Sequence, residues 1–156
     1  MIILSKLADY GVIVATHLAA DPTRQMTAAA LADEAKLPRA TVAKVLKALA
    51  HGGIVAGCRG AAGGYRLARP AASISVAELV AAIDGAIGVT QCTGHDQGMR
   101  EAQPCEHSHY CPTRPHWRRI NDAVGTALAA VTLADMMPSL GIFAVDAPAS
   151  REIRSS

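Results

Sequence analysis

The stretch between Thr27 and Leu67 holds the signals that most constrain how this chain can fold. Thr27 caps a short predicted helix, a turn follows at Lys36, and Pro38 opens a further helix whose apolar residues recur every three or four positions. After Gly52, two short strand-like pieces flank a glycine-rich turn, which is the pattern of a β-hairpin. A helix, a short turn, a basic helix and a hairpin in this order predict a winged helix-turn-helix.

Further amphipathic helices are predicted on both sides of this unit. Before it, apolar residues from Leu7 to Leu18 recur at helical spacing. After it, Ser75 and Glu78 form a capping-box pattern for a helix that ends near Gly85. Aromatic residues make up only 3% of the 156 residues and alanine is abundant, which favours helix over strand. We therefore predict a mainly α fold with a small β-hairpin wing: a winged helix-turn-helix plus a long dimerisation helix.

The long helix is predicted to run from His116 to Met137. Its apolar positions repeat at spacings of 3, 4, 3, 4 and 3, as in a coiled coil, and they are Trp117, Ile120, Val124, Ala127, Val131 and Ala134. Such a seam after a small domain favours pairing with a second copy of the chain, so we predict a homodimer. The alternative is that the helix packs against its own domain.

Charge is unevenly distributed along the chain. Residues 36–77 contain seven basic residues and no acidic one, so this stretch carries +7, whereas the whole chain carries +2. A basic block on a helix-turn-helix indicates double-stranded operator DNA as the partner, because the major groove admits one α-helix; a merely solvated basic face is the alternative. The residues that begin the basic helix, where base edges are met, are Arg39, Ala40 and Thr41. The residues expected to hold backbone phosphates, or to reach the minor groove from the hairpin, are Lys44, Lys47, Arg59 and Arg66.

Three of the four cysteines, Cys92, Cys105 and Cys111, lie in one aperiodic stretch that is also rich in histidine. Three thiolates from one loop are soft ligands that select zinc, copper(I) or an iron–sulfur cluster. The tight Cys-x₂-Cys knuckles of most zinc sites are absent. Spacing alone leaves zinc and an iron–sulfur cluster ([2Fe-2S] or [4Fe-4S]) open, with three free thiols as a further alternative. A fourth ligand is needed, and His107 and His116 are among the nearby candidates.

These patterns divide the chain into four predicted segments. Residues 1–85 are expected to form the winged helix-turn-helix DNA-binding domain, and residues 86–115 a Cys-rich cluster-binding loop. Residues 116–137 are expected to form the dimerisation helix, and residues 138–156 a flexible tail.

Composition also excludes several classes of protein. No apolar run reaches the roughly 18–20 residues that span a bilayer, and the N-terminus lacks the basic start of a secretion signal. We therefore expect a cytoplasmic protein without a membrane partner. An enzyme with a cysteine nucleophile would need one thiol fixed beside one imidazole, and it would leave the +7 stretch unexplained. The sequence thus favours a regulator over an enzyme.

Several motifs, taken in order, resemble the Rrf2 family of bacterial winged-helix transcription regulators, which includes the IscR and NsrR branches. They are Leu7-Ala8-Asp9-Tyr10, Leu37-Pro38, Arg59-Gly60-Ala61-Ala62-Gly63-Gly64-Tyr65-Arg66-Leu67-Ala68-Arg69, and the three cysteines before a long helix. The stretch from Cys111 to Ala123 most resembles the branch that regulates the SUF iron–sulfur assembly operon. The resemblance implies an iron–sulfur-sensing, DNA-binding repressor of cluster assembly genes. Two alternatives share this architecture: a nitric oxide or redox sensor, and a zinc-stabilised winged-helix regulator.

The same resemblance implies a set of ligands. Cys92, Cys105 and Cys111 would hold the cluster. The IscR branch adds a histidine three residues after the last cysteine, but this chain has Arg114 there. The NsrR branch adds an aspartate of the first helix, supplied by the partner subunit, and Asp9 matches that position, ahead of His116 and His107 as alternatives. The arginine with which the family's wing reaches the minor groove corresponds to Arg59.

Overall fold

The computed structural model of the chain describes residues 4–60, 63–90, 92–93, 105–107 and 110–137. Its helices are α1 (Lys6–Ala20), α2 (Ala28–Ala35), α3 (Arg39–His51), α4 (Val76–Asp84) and α5 (Arg114–Ala130), with a 3₁₀ turn at Ala71–Ser73. Its strands are β1 (Val55–Cys58) and β2 (Gly64–Leu67). The mainly α fold with a hairpin wing is therefore confirmed. The tail expected for residues 138–156 lies outside the described residues, as does much of the Cys-rich stretch.

Side-chain caps fix where the helices begin. The Ser5 hydroxyl accepts the N–H of Ala8 to open α1, and the Thr27 hydroxyl accepts the N–H of Ala30 to open α2. At α4, the Ser75 hydroxyl accepts the Glu78 N–H while the Glu78 carboxylate accepts the Ser75 N–H. The caps predicted at Thr27 and Ser75 are confirmed.

The core lies where α1, α3 and α4 meet, with α2 and the start of the hairpin packed onto it. The largest buried apolar side chains from these elements are Val14, Leu18, Leu31, Val42, Val45, Leu46, Leu49, Ile54, Ile74 and Leu79. Burial of each such side chain stabilises the fold by roughly 1.5–3 kcal/mol relative to exposure. One face of α3 packs into this core, and its opposite face is exposed to solvent.

The turn between α2 and α3 depends on a left-handed residue. Lys36 has φ 54 and ψ 40, and its backbone N–H donates to the Ala32 carbonyl, as does that of Leu37. These bonds end α2 and reverse the chain, so that the last turn of α2 lies beside the first turn of α3. Pro38 occupies the cap position of α3, one residue before the helical position predicted for it.

The wing is an antiparallel hairpin in which Val55 pairs with Leu67 and Cys58 with Gly64. Met26 and Tyr65 exchange backbone hydrogen bonds of 3.0 and 2.8 Å, which joins the hairpin to the connection between α1 and α2. A Cβ atom at Gly64 would lie 2.8 Å from the Met26 carbonyl oxygen, so only glycine permits this approach. The root of the wing is therefore fixed to the helical core.

The helix predicted over 116–137 is corrected at both ends: α5 begins at Arg114 and ends at Ala130. Val131 is extended, and Thr132 forms a β-bridge with Ser75. Leu133 donates its N–H to the Ile74 carbonyl at 2.7 Å and buries its side chain in the core. This return to the domain ends the helix, so Val131 and Ala134 do not belong to a helical seam.

The remaining seam residues lie on α5. Trp117 is 38% exposed and Ile120 44%, Val124 is half-buried, and Ala127 is exposed. Leu128, on the inner side of α5, packs against the small cluster of Ala8, Val76 and Val80. The helix thus contacts its own domain through one side and leaves the first half of its apolar seam uncovered in the single chain. Among the helices that the structure describes, none is long and apolar enough to cross a bilayer.

Candidate functional site

Helix α3 has two chemically distinct faces. Val42, Val45, Leu46 and Leu49 are fully buried, and Lys44 and Lys47 are exposed between them in sequence. A helix with one stripe in the core directs its remaining residues to solvent. The exposed face of α3 therefore carries two lysines on a helix whose own residues include no acid.

The first turn of α3 holds the three residues predicted to meet base edges. Arg39 and Ala40 are exposed, whereas Thr41 is half-buried. The Arg39 Nη2 atom lies 3.2 and 3.3 Å from the two carboxylate oxygens of Asp33, which belongs to the last turn of α2. This ion pair across the turn was not predicted, because the sequence indicates a turn at Lys36 but not the left-handed conformation that brings Asp33 beside Arg39.

The wing places two further arginines at the surface. Arg59 directly follows β1, and Arg66 lies within β2 opposite Ala56; both are exposed. Gly60 has φ 125, a backbone conformation that favours glycine, and its carbonyl accepts the N–H of Gly63 at 2.9 Å. The tip of the wing, residues 61–62, lies outside the described residues.

Three ion pairs occur within the described ranges. They show which basic side chains are held by a carboxylate of the protein and which are not. Arg24 pairs with Glu34 at 2.8 Å, Arg39 with Asp33 at 3.2 Å, and Arg69 with Glu78 at 2.7 Å. Arg69 also donates to the Ser73 carbonyl, so this member of the basic block supports the fold. Five members of the basic block have no carboxylate partner among the described residues, and they are Lys36, Lys44, Lys47, Arg59 and Arg66. These positive charges, which include the four predicted to bind phosphates or the minor groove, are available to a polyanion.

The stretch from Cys92 to Cys111, here called the cysteine segment, begins close to α5. The Cys92 sulfur lies 3.2 Å from the Thr90 hydroxyl, and Thr93 beside it is buried. Upstream, the Val89 N–H donates to the side-chain oxygen of Asn121 on α5 at 3.0 Å. The entry to the segment is therefore tied to the long helix through a buried amide, an anchor that the sequence did not indicate.

Cys111 lies just before α5 in a polar setting. Its sulfur is 3.2 Å from the hydroxyl of Thr113, and Thr113 is the cap residue of the helix. The hydrogen bond with that hydroxyl, together with the Thr113 and Arg114 backbone N–H groups, holds the pKa of the Cys111 thiol below its ordinary value. The same contacts stabilise the thiolate, the form that binds metal, relative to an ordinary cysteine.

The donor chemistry fits a thiolate-bound metal group, but the ligand geometry is not formed by the described residues. Cys92, Cys105 and Cys111 are all half-buried free thiols. In the parts of the chain that are described, no three His, Cys, Asp or Glu side chains gather at a common metal position. Asp9, in the first turn of α1, is exposed, and so are His107 and His116. The structure thus brings none of the three additional candidates together with the cysteines in a single site.

The sequence model of the Rrf2 family, described as an iron-dependent transcriptional regulator, matches residues 4–139. The HTH-type transcriptional regulator IscR of Yersinia pseudotuberculosis (serotype O:1b, strain IP 31758) is 30% identical over 97 residues. That alignment covers 62% of this chain and 55% of the relative, so the chain matches about half of that protein's length.

Solved structures show the same fold. The chain superposes on CymR, the global cysteine regulator of B. subtilis, with a TM-score of 0.65 and 24% identity, covering 87% of this chain and 96% of that one. It superposes on T. potens IscR with a TM-score of 0.64 and 23% identity, covering 86% and 85% of the two chains. These relatives are named as regulators and not as enzymes. The chain belongs to the Rrf2 family of transcriptional regulators.

Proposed function

We propose that this chain is a homodimeric, DNA-binding repressor whose affinity for its operator is set by an iron–sulfur cluster. The observation that carries the DNA-binding part is the exposed face of α3, where Lys44 and Lys47 have no carboxylate partner among the described residues while the opposite stripe is buried. The wing adds Arg59 and Arg66 beyond the end of that helix.

Three groups of residues on α3 and the wing would contact different parts of a DNA duplex. The first turn of α3, with Arg39, Ala40 and Thr41, enters the major groove and meets base edges. Lys44 and Lys47 bind the flanking phosphates. From the wing, Arg59 and Arg66 reach the adjacent minor groove or its phosphates.

Dimerisation is supported by the uncovered seam on α5. Trp117 and Ile120 are large apolar side chains that remain 38% and 44% exposed in the single chain. A second copy that covers this seam removes both from water, which favours association. Two copies related by a twofold axis would present their α3 helices to half-sites about one helical turn, ~34 Å, apart.

Cluster binding is supported by the thiol chemistry of the cysteine segment. Cys92, Cys105 and Cys111 would be the ligands, with the partner subunit's Asp9 first among the candidates for the fourth, and His116 or His107 as alternatives. An iron–sulfur cluster held there supplies a redox-sensitive link between the segment and the first helix of the second copy. A coupling of ~1–3 kcal/mol between cluster and DNA would change operator affinity ~5–150-fold. The genes for cluster assembly are the proposed targets, in a cytoplasmic setting.

The DNA-binding part is tested by selection from a random duplex pool, followed by titration of the selected duplex and a scrambled duplex of equal length. We expect preference for the selected duplex and loss of that preference in Arg39→Ala. A wild-type protein that selects no sequence would overturn the proposal.

The cluster part is tested by anaerobic purification of Cys92→Ser, Cys105→Ser and Cys111→Ser, with Cys58→Ser on the wing as the matched control. Iron, acid-labile sulfide and zinc are measured in each protein. We expect the three segment variants to lose iron and sulfide and the Cys58 variant to retain them. Zinc without sulfide would support the zinc-stabilised alternative, and equal iron in all four variants would contradict the ligand assignment.

A further inference from the structure

We propose that Asp33 is a positioning residue that holds Arg39 for base recognition and so raises the sequence preference of the protein. The inference rests on the proposed DNA-binding function, since it assigns a role within the same α3 surface. Asp33 belongs to α2 and lies outside the recognition helix itself.

The geometry leaves most of the arginine free. Both Asp33 oxygens lie near a single atom, Arg39 Nη2, at 3.2 and 3.3 Å. No other partner of the Arg39 guanidinium occurs within the part of the chain that the structure describes. A guanidinium carries five N–H donors, and bidentate contact with guanine uses two of them. Asp33 can therefore hold one edge of the group while the remaining donors meet a base.

Asp33 lies at an electrostatically unfavourable place in its helix, and a role in holding Arg39 explains why an acid is found there. It lies in the last turn of α2, where the helix dipole disfavours an acidic side chain. The left-handed Lys36 turns the chain so that this carboxylate comes beside the first residue of α3. An acid here serves no cap and no other pair in the described structure, only Arg39.

Two physical effects of Asp33 act on DNA binding. The Asp33 and Arg39 side chains are 65% and 70% exposed, so their pair adds little to fold stability. It does restrict a long flexible side chain, which lowers the entropy that Arg39 loses when it meets a base and so enlarges the ratio of specific to non-specific affinity. The carboxylate also repels phosphates, which weakens binding to every duplex alike and leaves that ratio unchanged.

Glu34 provides a matched control. It is the next residue, it is also an exposed carboxylate, and it pairs with Arg24 at 2.8 Å instead of with α3. Glu34→Gln and Asp33→Asn remove the same charge from the same helix end. A general electrostatic effect would therefore appear in both variants, whereas a positioning effect would appear only in Asp33→Asn.

The test titrates wild type, Asp33→Asn, Glu34→Gln, Arg39→Ala and the Asp33→Asn/Arg39→Ala double variant onto the selected duplex and its scrambled counterpart. We expect Asp33→Asn to lower the specificity ratio about fivefold or more, while affinity for scrambled DNA rises. Glu34→Gln should raise both affinities alike and leave the ratio unchanged. In the Arg39→Ala background, Asp33→Asn should have no further effect on the ratio.

The proposal is overturned if Asp33→Asn keeps the wild-type ratio, or if it lowers the ratio equally with and without Arg39. Thermal unfolding of each variant shows whether a change in ratio comes from a loss of folded protein. A wild-type protein without any sequence preference contradicts the proposed function as well, whereas a preference that survives Asp33→Asn contradicts only the role of Asp33.

Discussion

The side chain of Asn121 accepts a hydrogen bond from the backbone N–H of Val89, with 3.0 Å between the two atoms. Asn121 is 5% exposed and lies on α5, whereas Val89 lies three residues before Cys92. One buried amide thus connects the long helix to the start of the cysteine segment.

Replacing Asn121 by Ala should destabilise the protein by about 1–3 kcal/mol, because the Val89 N–H loses its buried acceptor. Urea unfolding measures this, and Asp122→Ala, at an exposed neighbouring position on α5, is the control with little expected change. Equal stability of the Asn121 variant and the control would contradict the anchoring role.

The buried side chain of Leu133 should hold the segment after α5 against the domain. Its side chain is fully buried in the main core, so Leu133→Ala should destabilise the fold by about 2–5 kcal/mol. Met136→Ala, at a side chain that is 44% exposed, should change stability by less than about 0.5 kcal/mol. Thermal or urea unfolding distinguishes them, and a small effect at Leu133 would mean that this return is not packed in solution.

Lys44 should contribute affinity without sequence preference. Lys44→Ala should weaken binding to selected and scrambled duplexes alike and flatten the slope of log affinity against log salt by about one unit. Lys6→Ala, at an exposed lysine on α1, is the charge-matched control and should leave the slope unchanged. A change in base preference for the Lys44 variant would show that this lysine contacts bases.

Glu78 should make stability depend on pH in the acid range. Its hydrogen bond from the Ser75 N–H and its pair with Arg69 hold the pKa of this carboxyl below its ordinary 4.5. A carboxyl with a lowered pKa in the folded state stabilises the fold above its ordinary pKa. That contribution is lost as pH falls through the lower, folded-state value. Unfolding free energies of wild type and Glu78→Gln should therefore converge on acidification, and a constant difference would contradict the assignment.

Local signals in the sequence were sufficient for most of the fold. The caps at Thr27 and Ser75 and the hairpin near Gly64 depend on residues close in the chain, and the structure confirms them. The predicted end of α5 was wrong. The helical periodicity of the apolar residues continues past Ala130, but the β-bridge between Thr132 and Ser75 holds the chain in an extended conformation there. That bridge joins residues far apart in sequence, which no local pattern reveals.

The candidate site likewise has features that local sequence patterns predict and features that depend on the three-dimensional fold. The exposed bases of α3 follow from the burial of its apolar stripe, which periodicity predicted. The pair between Asp33 and Arg39 depends on the left-handed turn at Lys36, and the Asn121 anchor depends on a long-range approach of two segments. The cysteine ligands remain a prediction from residue type and spacing, because a site completed by a metal and a second copy would not be encoded in the local preferences of one chain.

Cluster-dependent DNA binding is tested most directly by the affinity of one protein sample for DNA before and after chelation. The protein is purified without air, its visible absorption, iron and sulfide are recorded, and it is titrated onto its selected duplex with and without prior chelation. We expect a coloured protein that contains iron and sulfide, and an affinity that changes about fivefold or more when they are removed. A colourless, iron-free protein that binds the duplex, or an affinity unchanged by chelation, would contradict cluster control of DNA binding.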